Sequence, residues 1–213
     1  MQPMEGARLL RTLAGRGTSR LEERRSVFIG VAEPATDEAA WRARVAAIRA
    51  EHPHARHVAW ALRLAGGLER ASDDGEPAAT AGAPCLEALR AAGVCDAGVA
   101  VVRYFGGTLL GRGGLIRAYG AAARQAVAAA GVRERRPHAV IALALPYPDW
   151  PAVMAWLERV PGVVLRGAEY AEAVRAEVLI DLLAADPQAV VAELRERTAG
   201  RAAAEPRDTR LYP

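Results

Sequence analysis

The chain has 213 residues, room for one large domain or two small ones, and its 52% hydrophobic content supplies ordinary cores. No apolar run approaches the roughly 18 residues that a membrane span needs. The two cysteines, Cys85 and Cys95, fit reduced thiols of a cytoplasmic protein better than a disulfide framework. All 28 basic residues are arginine, and the net charge of +3 does not by itself announce nucleic acid. The distribution says more. Residues 1–136 carry 20 arginines against 14 acids, whereas 137–213 carry 8 against 11, so the front part is the better partner for an anion.

Arg8 and Arg11 sit among short apolar pieces that lack the continuous core of a signal peptide, and residues 1–20 read as a loose lead-in or an added edge strand. Residues 24–31 read as a strand with Val27, Ile29 and Val31 on one face. Thr36 or Asp37 caps a helix over about 37–50, whose Trp41, Val45 and Ile48 recur at helical spacing. A second strand, 56–64, alternates Val58, Trp60, Leu62 and Leu64 with smaller residues, and Gly66-Gly67 turns the chain into a short strand or loop through Arg70. Thr80 is placed to cap a helix over 81–92 that Gly93 closes. Residues 97–102 are apolar throughout, as in a strand covered on both faces. An alanine-rich helix spans about 115–130.

The charged stretch 133–137 is expected to be a link between domain 1–136 and domain 137–213. Beyond it come a strand (140–145), a helix (150–160), two strands (163–170 and 173–182), a helix (187–199) and a last strand near 202–206. The order βαββα is the ferredoxin-like split pattern. The whole reads as α+β.

Two passages look like a surface site. The first holds Asp73, Asp74 and Glu76 in four residues, followed by Thr80. Such oxygens suit Mg²⁺ or acid/base chemistry, while Asp, Gly and Pro equally favour a solvated turn. The second runs from Arg103 and Tyr104 through Gly106, Gly107, Gly111, Arg112, Gly113 and Gly114 to Arg117. Glycines bring backbone N–H groups close to a ligand, and a following helix offers its positive end to an anion. The spacing matches neither the phosphate loop nor the dinucleotide fingerprint. His57 is placed to hydrogen-bond inside the site. His52 and His54 lack accompanying metal ligands apart from Glu51, so no zinc site is read.

Ser72-Asp73-Asp74-Gly75-Glu76-Pro77 with Thr80-Ala81-Gly82-Ala83-Pro84, then Arg103-Tyr104-Phe105-Gly106-Gly107 and Leu110 to Tyr119, resemble the signature of the YigZ/IMPACT family. His54 to His57, and Ser26 with Phe28, fall where that family has matching residues. The resemblance covers about 20–130, and the tail is similar to the C-terminal domain of bacterial two-domain members. It implies a ribosomal-protein-S5-domain-2-like sandwich followed by a ferredoxin-like domain. Eukaryotic members act in translational control during amino-acid starvation, binding the ribosome-associated activator of an initiation-factor kinase. Their ubiquitin-conjugating-enzyme-like domain has no counterpart here. Ala79 stands where the family commonly has Gly, and Leu109 where many members have Lys.

The resulting expectation is a cytoplasmic binding or regulatory protein, not a membrane protein, that touches RNA, the ribosome or a translation-related protein. The other reading is a Mg²⁺-dependent enzyme or sensor acting on a nucleotide or another phosphorylated, anionic small molecule. No cofactor is expected under the first reading.

Overall fold

The computed structural model describes residues 9–212, so the first eight residues of the expected lead-in lie outside the described residues. These residues form five α-helices and two antiparallel sheets of five strands each. The chain divides into two compact units, Leu10–Glu134 and a second that begins at Arg135. No helix among the described residues is long and apolar enough to cross a membrane.

The first unit comprises β1 (Leu10–Leu13), β2 (Gly17–Glu23), β3 (Ser26–Pro34), α1 (Glu38–Glu51), β4 (His57–Arg63), β5 (Glu69–Ser72), α2 (Gly82–Ala91), β6 (Ala97–Tyr104) and α3 (Gly111–Ala130). Its sheet runs β2-β3-β6-β4-β5, while β1 pairs with β7 (Val132–Leu145). The all-apolar β6 lies near the middle because both faces of this sheet are covered. Val99 and Val101 join the core under α2 and α3, whereas Ala100 and Val102 pack with Trp41, Val45 and Ile48 of α1. Asp37 caps α1 by accepting a bond from the Ala40 N–H at 2.7 Å.

Three local readings change. Residues Arg24 and Arg25 are not in a strand but form a two-residue hairpin turn between Glu23 and Ser26, with φ of 47° and 65°. Positive φ at both central positions matches the twist of the paired strands, and Asn-Gly is the sequence that adopts it without strain. α3 starts at Gly111 rather than near Leu115, so three glycines of the loop belong to its first turn. Glycine is a poor helix former, but burial of Leu115, Ala118, Tyr119 and Ala122 drives the helix regardless. Residues 133–137, expected as a link, lie inside the 14-residue β7.

The second unit continues from β7 through α4 (Trp150–Leu157), β8 (Val163–Tyr170), β9 (Val174–Asp181), α5 (Pro187–Arg197) and β10 (Ala203–Tyr212), a βαββαβ order. Within it the strands run β10-β7-β9-β8. Ile141, Leu143, Val178 and Ile180 share one core with Val153 and Leu157 of α4 and Val190 and Leu194 of α5.

α1 approaches the first sheet closely because Gly98 offers no side chain. A Cβ built there would lie 2.4–2.6 Å from the ring of the buried Trp41. Gly98→Ala should therefore cost about 1–3 kcal/mol and lower the urea midpoint. Gly66→Ala, at an open turn with nothing near its Cβ, should leave that midpoint unchanged.

Candidate functional site

The acidic passage joins β5 to α2, and each carboxylate has a different internal task. Asp73 accepts backbone bonds from Ala79 (2.8 Å), Ala81 (2.9 Å) and Gly82 (2.8 Å). It thereby satisfies the N-terminus of α2, the role expected of Thr80. Thr80 is fully buried and donates its hydroxyl to the Pro77 carbonyl at 2.6 Å instead. Burial disfavours the Asp73 anion, but the backbone N–H groups of Gly82, Ala81, Ala79 and Thr80 together outweigh it and hold the carboxyl below its ordinary value. Asp74, at φ 49°, accepts from the Val58 N–H at 2.6 Å and pairs with Arg49. Ala79 sits at φ 61°, a left-handed conformation that glycine adopts without strain.

Glu76 is the centre of a buried network. The register sets Phe28, Arg103 and His57 side by side across β3, β6 and β4, on the face covered by α2 and α3. Glu76 reaches into that row. Its Oε1 accepts from the Arg103 guanidinium at 2.6 Å and from the Tyr119 hydroxyl of α3 at 2.7 Å. Both charged side chains are closed to solvent, 4% exposed for Glu76 and 7% for Arg103. Burial, followed by the bond to Glu76, pushes the Tyr119 hydroxyl well above its ordinary range, so it stays a donor. His57 donates from Nδ1 to the Asp74 carbonyl at 2.6 Å and leaves Nε2 4.0 Å from Glu76. Tyr104 alternates to the other face, where its hydroxyl meets His52 Nδ1 at 2.8 Å, so it does not join the network.

The glycine loop wraps over this network. Gly106 is pressed against the hairpin, because a Cβ there would lie 2.1 Å from the Arg25 carbonyl carbon. Its N–H donates to Ser26 Oγ at 3.2 Å, and Arg25 donates to Thr108 Oγ1 at 2.9 Å. Gly107 and Gly111 take φ of 81° and 69°. Arg112 reaches back to the Ala78 carbonyl at 2.9 Å, so the two passages meet in space. Arg117 lies back along α3, with Nη1 3.4 Å from a Cβ built on Gly113, and Gly114 packs on Leu110. The first turn of α3 has neither a side-chain cap nor an acid.

The arginines of this unit differ in their partners, and Arg11, Arg20 and Arg124 are among those with no carboxylate partner among the described residues. Arg42, Arg44, Arg49, Arg63 and Arg90 pair with carboxylates. Arg24, Arg25, Arg56, Arg112 and Arg117, on or beside the glycine loop, have no carboxylate partner among the described residues. Sequence reasoning singled out Arg112 and Arg117 but left out Tyr119, Phe105, Arg56 and the hairpin pair. The doublet Arg24-Arg25 between two apolar alternations was the available signal for a turn. No group of three His, Cys, Asp or Glu residues disposed to hold a metal occurs among the described residues.

A family model described as the Impact N-terminal domain matches residues 24–127. The chain is also 36% identical over 182 residues to IMPACT family member YigZ of Escherichia coli (strain K12), an overlap of 84% of this chain and 86% of that one. The chain belongs to the IMPACT family. An IMPACT family member of Thermus thermophilus is 46% identical over 125 residues, covering 59% of this chain and 68% of its relative. A solved structure described only as that of a hypothetical protein superposes with a TM-score of 0.65 at 31% identity, covering 94% of this chain and 98% of the other. Both site passages of this IMPACT family member fall inside the matched residues 24–127.

Glu76→Gln leaves the buried Arg103 without a counter-charge and should cost about 3–5 kcal/mol in chemical denaturation. Tyr119→Phe removes one donor to the same carboxylate but leaves the ion pair, and should cost about 1.5–3 kcal/mol. Asp73 carries a pH signature. Its folded-state carboxyl is more acidic than the unfolded one, so its contribution is complete above the ordinary aspartate range. It is lost as pH falls through the lower folded value. Asp73→Asn should lose about 1–2 kcal/mol at pH near 6, and that deficit should shrink below about pH 4 when melting temperatures are compared.

Proposed function

We propose that this IMPACT family member is a cytoplasmic, non-enzymatic binding protein that contacts RNA of the translation apparatus through the arginine-rimmed glycine loop. The observation that carries this reading is the separation of charge. Every carboxylate of the acidic passage is committed to an internal partner, while the arginines around the loop are left to an external anion. A Mg²⁺-dependent enzyme would need those same oxygens free, so the binding reading is favoured.

The family resemblance and the strand orders support two fold assignments within this proposal. We assign the Leu10–Glu134 unit to the ribosomal-protein-S5-domain-2-like group. The unit from Arg135 onward is assigned to the ferredoxin-like group, on its βαββαβ order and its β10-β7-β9-β8 sheet.

The hairpin tip offers a test in which stability and binding move in opposite directions. Replacing Arg24 by Asn and Arg25 by Gly relieves two left-handed arginines and should stabilise the fold by about 1 kcal/mol, net of the lost bond to Thr108. The same variant should bind RNA more weakly, with the slope of log affinity against log salt reduced by about two. Binding that ignores salt, or a variant with unchanged affinity and slope, overturns the proposal.

A further inference from the structure

Among the side chains on this face, Phe105 stands out. It is aromatic and 40% exposed, in a loop that also exposes Leu109 and that touches Arg25 of the hairpin on one side and leads into Arg112 of α3 on the other. An exposed phenyl ring gains nothing from water, and here it cannot withdraw. Its neighbour Gly106 is locked against Arg25 and Ser26, and the buried Arg103 guanidinium lies 5.5 Å from the ring centroid. The free guanidinium of Arg56 stands 5.9 Å from the same centroid. A partly exposed ring with cations beside it is suited to take a second flat group and the negative charge attached to it.

We infer that Phe105 is a stacking platform for an unpaired base of single-stranded RNA, with Arg25, Arg56 and Arg112 taking the flanking phosphates. This rests on the proposed RNA-binding reading and narrows it to one class of nucleic acid. Base and ring stack whatever the base, because every base has a π-face, and the arginines follow the backbone. A duplex keeps its bases stacked on one another and offers this surface only phosphates. The combination of an exposed ring and neighbouring cations favours a nucleic acid over an acidic protein segment, which would bring charge but no flat partner for the ring. Glu22 and Glu23, the exposed acids before the hairpin tip, lie on β2 before the turn that carries the two arginines.

The test is fluorescence anisotropy on the full chain with three short probes: oligoadenylate RNA, an RNA duplex, and a ribose-phosphate oligomer without bases. Wild type should bind the single strand more tightly than the duplex or the base-free oligomer. Phe105→Ala should weaken single-strand binding about tenfold or more, leaving duplex affinity and the salt slope unchanged, and Phe105→Tyr should restore it. Melting temperatures confirm that each variant is folded. Equal wild-type affinity for all three probes, or a Phe105→Ala variant that binds like wild type, overturns the stacking platform but leaves an RNA-binding face. No binding of any probe overturns both readings. Polyglutamate binding as tightly as RNA replaces the nucleic acid with an acidic protein partner and likewise overturns both.

Discussion

The ion pair between Glu76 and Arg103 is the constraint on which this face of the molecule depends. Two charges removed from water cost several kcal/mol each, and only close geometry with further hydrogen bonds offsets that. Here two bonds to the Glu76 carboxylate supply the offset, from Arg103 in β6 and from Tyr119 in α3. A single carboxylate thus ties the central strand, the long helix and the loop before α2 to one another. Phe28 closes the arrangement, lying edge-on to Tyr119 at 5.1 Å and 5.6 Å from the Arg103 guanidinium.

Because Glu76 is spent inside, its charge does not reach the surface beside the glycine loop. Asp73 is equally committed to the N-terminus of α2, and Asp74 to the backbone of β4. The loop that looked acidic in sequence contributes little negative potential to the surface, and the glycine loop beside it contributes arginines. These arginines form part of the basic excess of residues 1–136.

How far the sequence revealed this depends on the range of the interaction concerned. Apolar alternation placed β4, an unbroken apolar run placed β6, and the periodicity of Trp41, Val45 and Ile48 placed α1, because those signals are local. The site residues were picked out by type, since Asp, Glu, Gly and Arg at this density do not build a core. Their duties were hidden. Asp73 reaches the N–H groups of residues six to nine positions on, and Arg103 meets Glu76 across 27 residues, distances at which one sequence carries no pairing information. Thr80 had the right side chain for a cap, but Asp73 brought a charge to the same N–H groups and won. The start of α3 was misjudged because helix propensity argues against glycine while tertiary burial argues more strongly for the turn.

Strain points the same way as charge. Of the six non-glycine residues with positive φ among the described residues, Arg24, Arg25, Asp74 and Ala79 lie in the hairpin and acidic turn beside the glycine loop. Each costs of order 1 kcal/mol, and a fold under selection for stability alone would place Gly or Asn there. At Asp74 the strain is offset by the bond its carboxylate accepts from the Val58 N–H of β4, and at Ala79 by the N–H bond to Asp73. Arg25 has only one neutral hydrogen bond, to Thr108, and no bond is formed by Arg24 among the described residues. The proposed external anion gives a reason for two cations to be kept in an unfavourable conformation at the tip of a tight hairpin, where one neutral side-chain bond is the internal compensation.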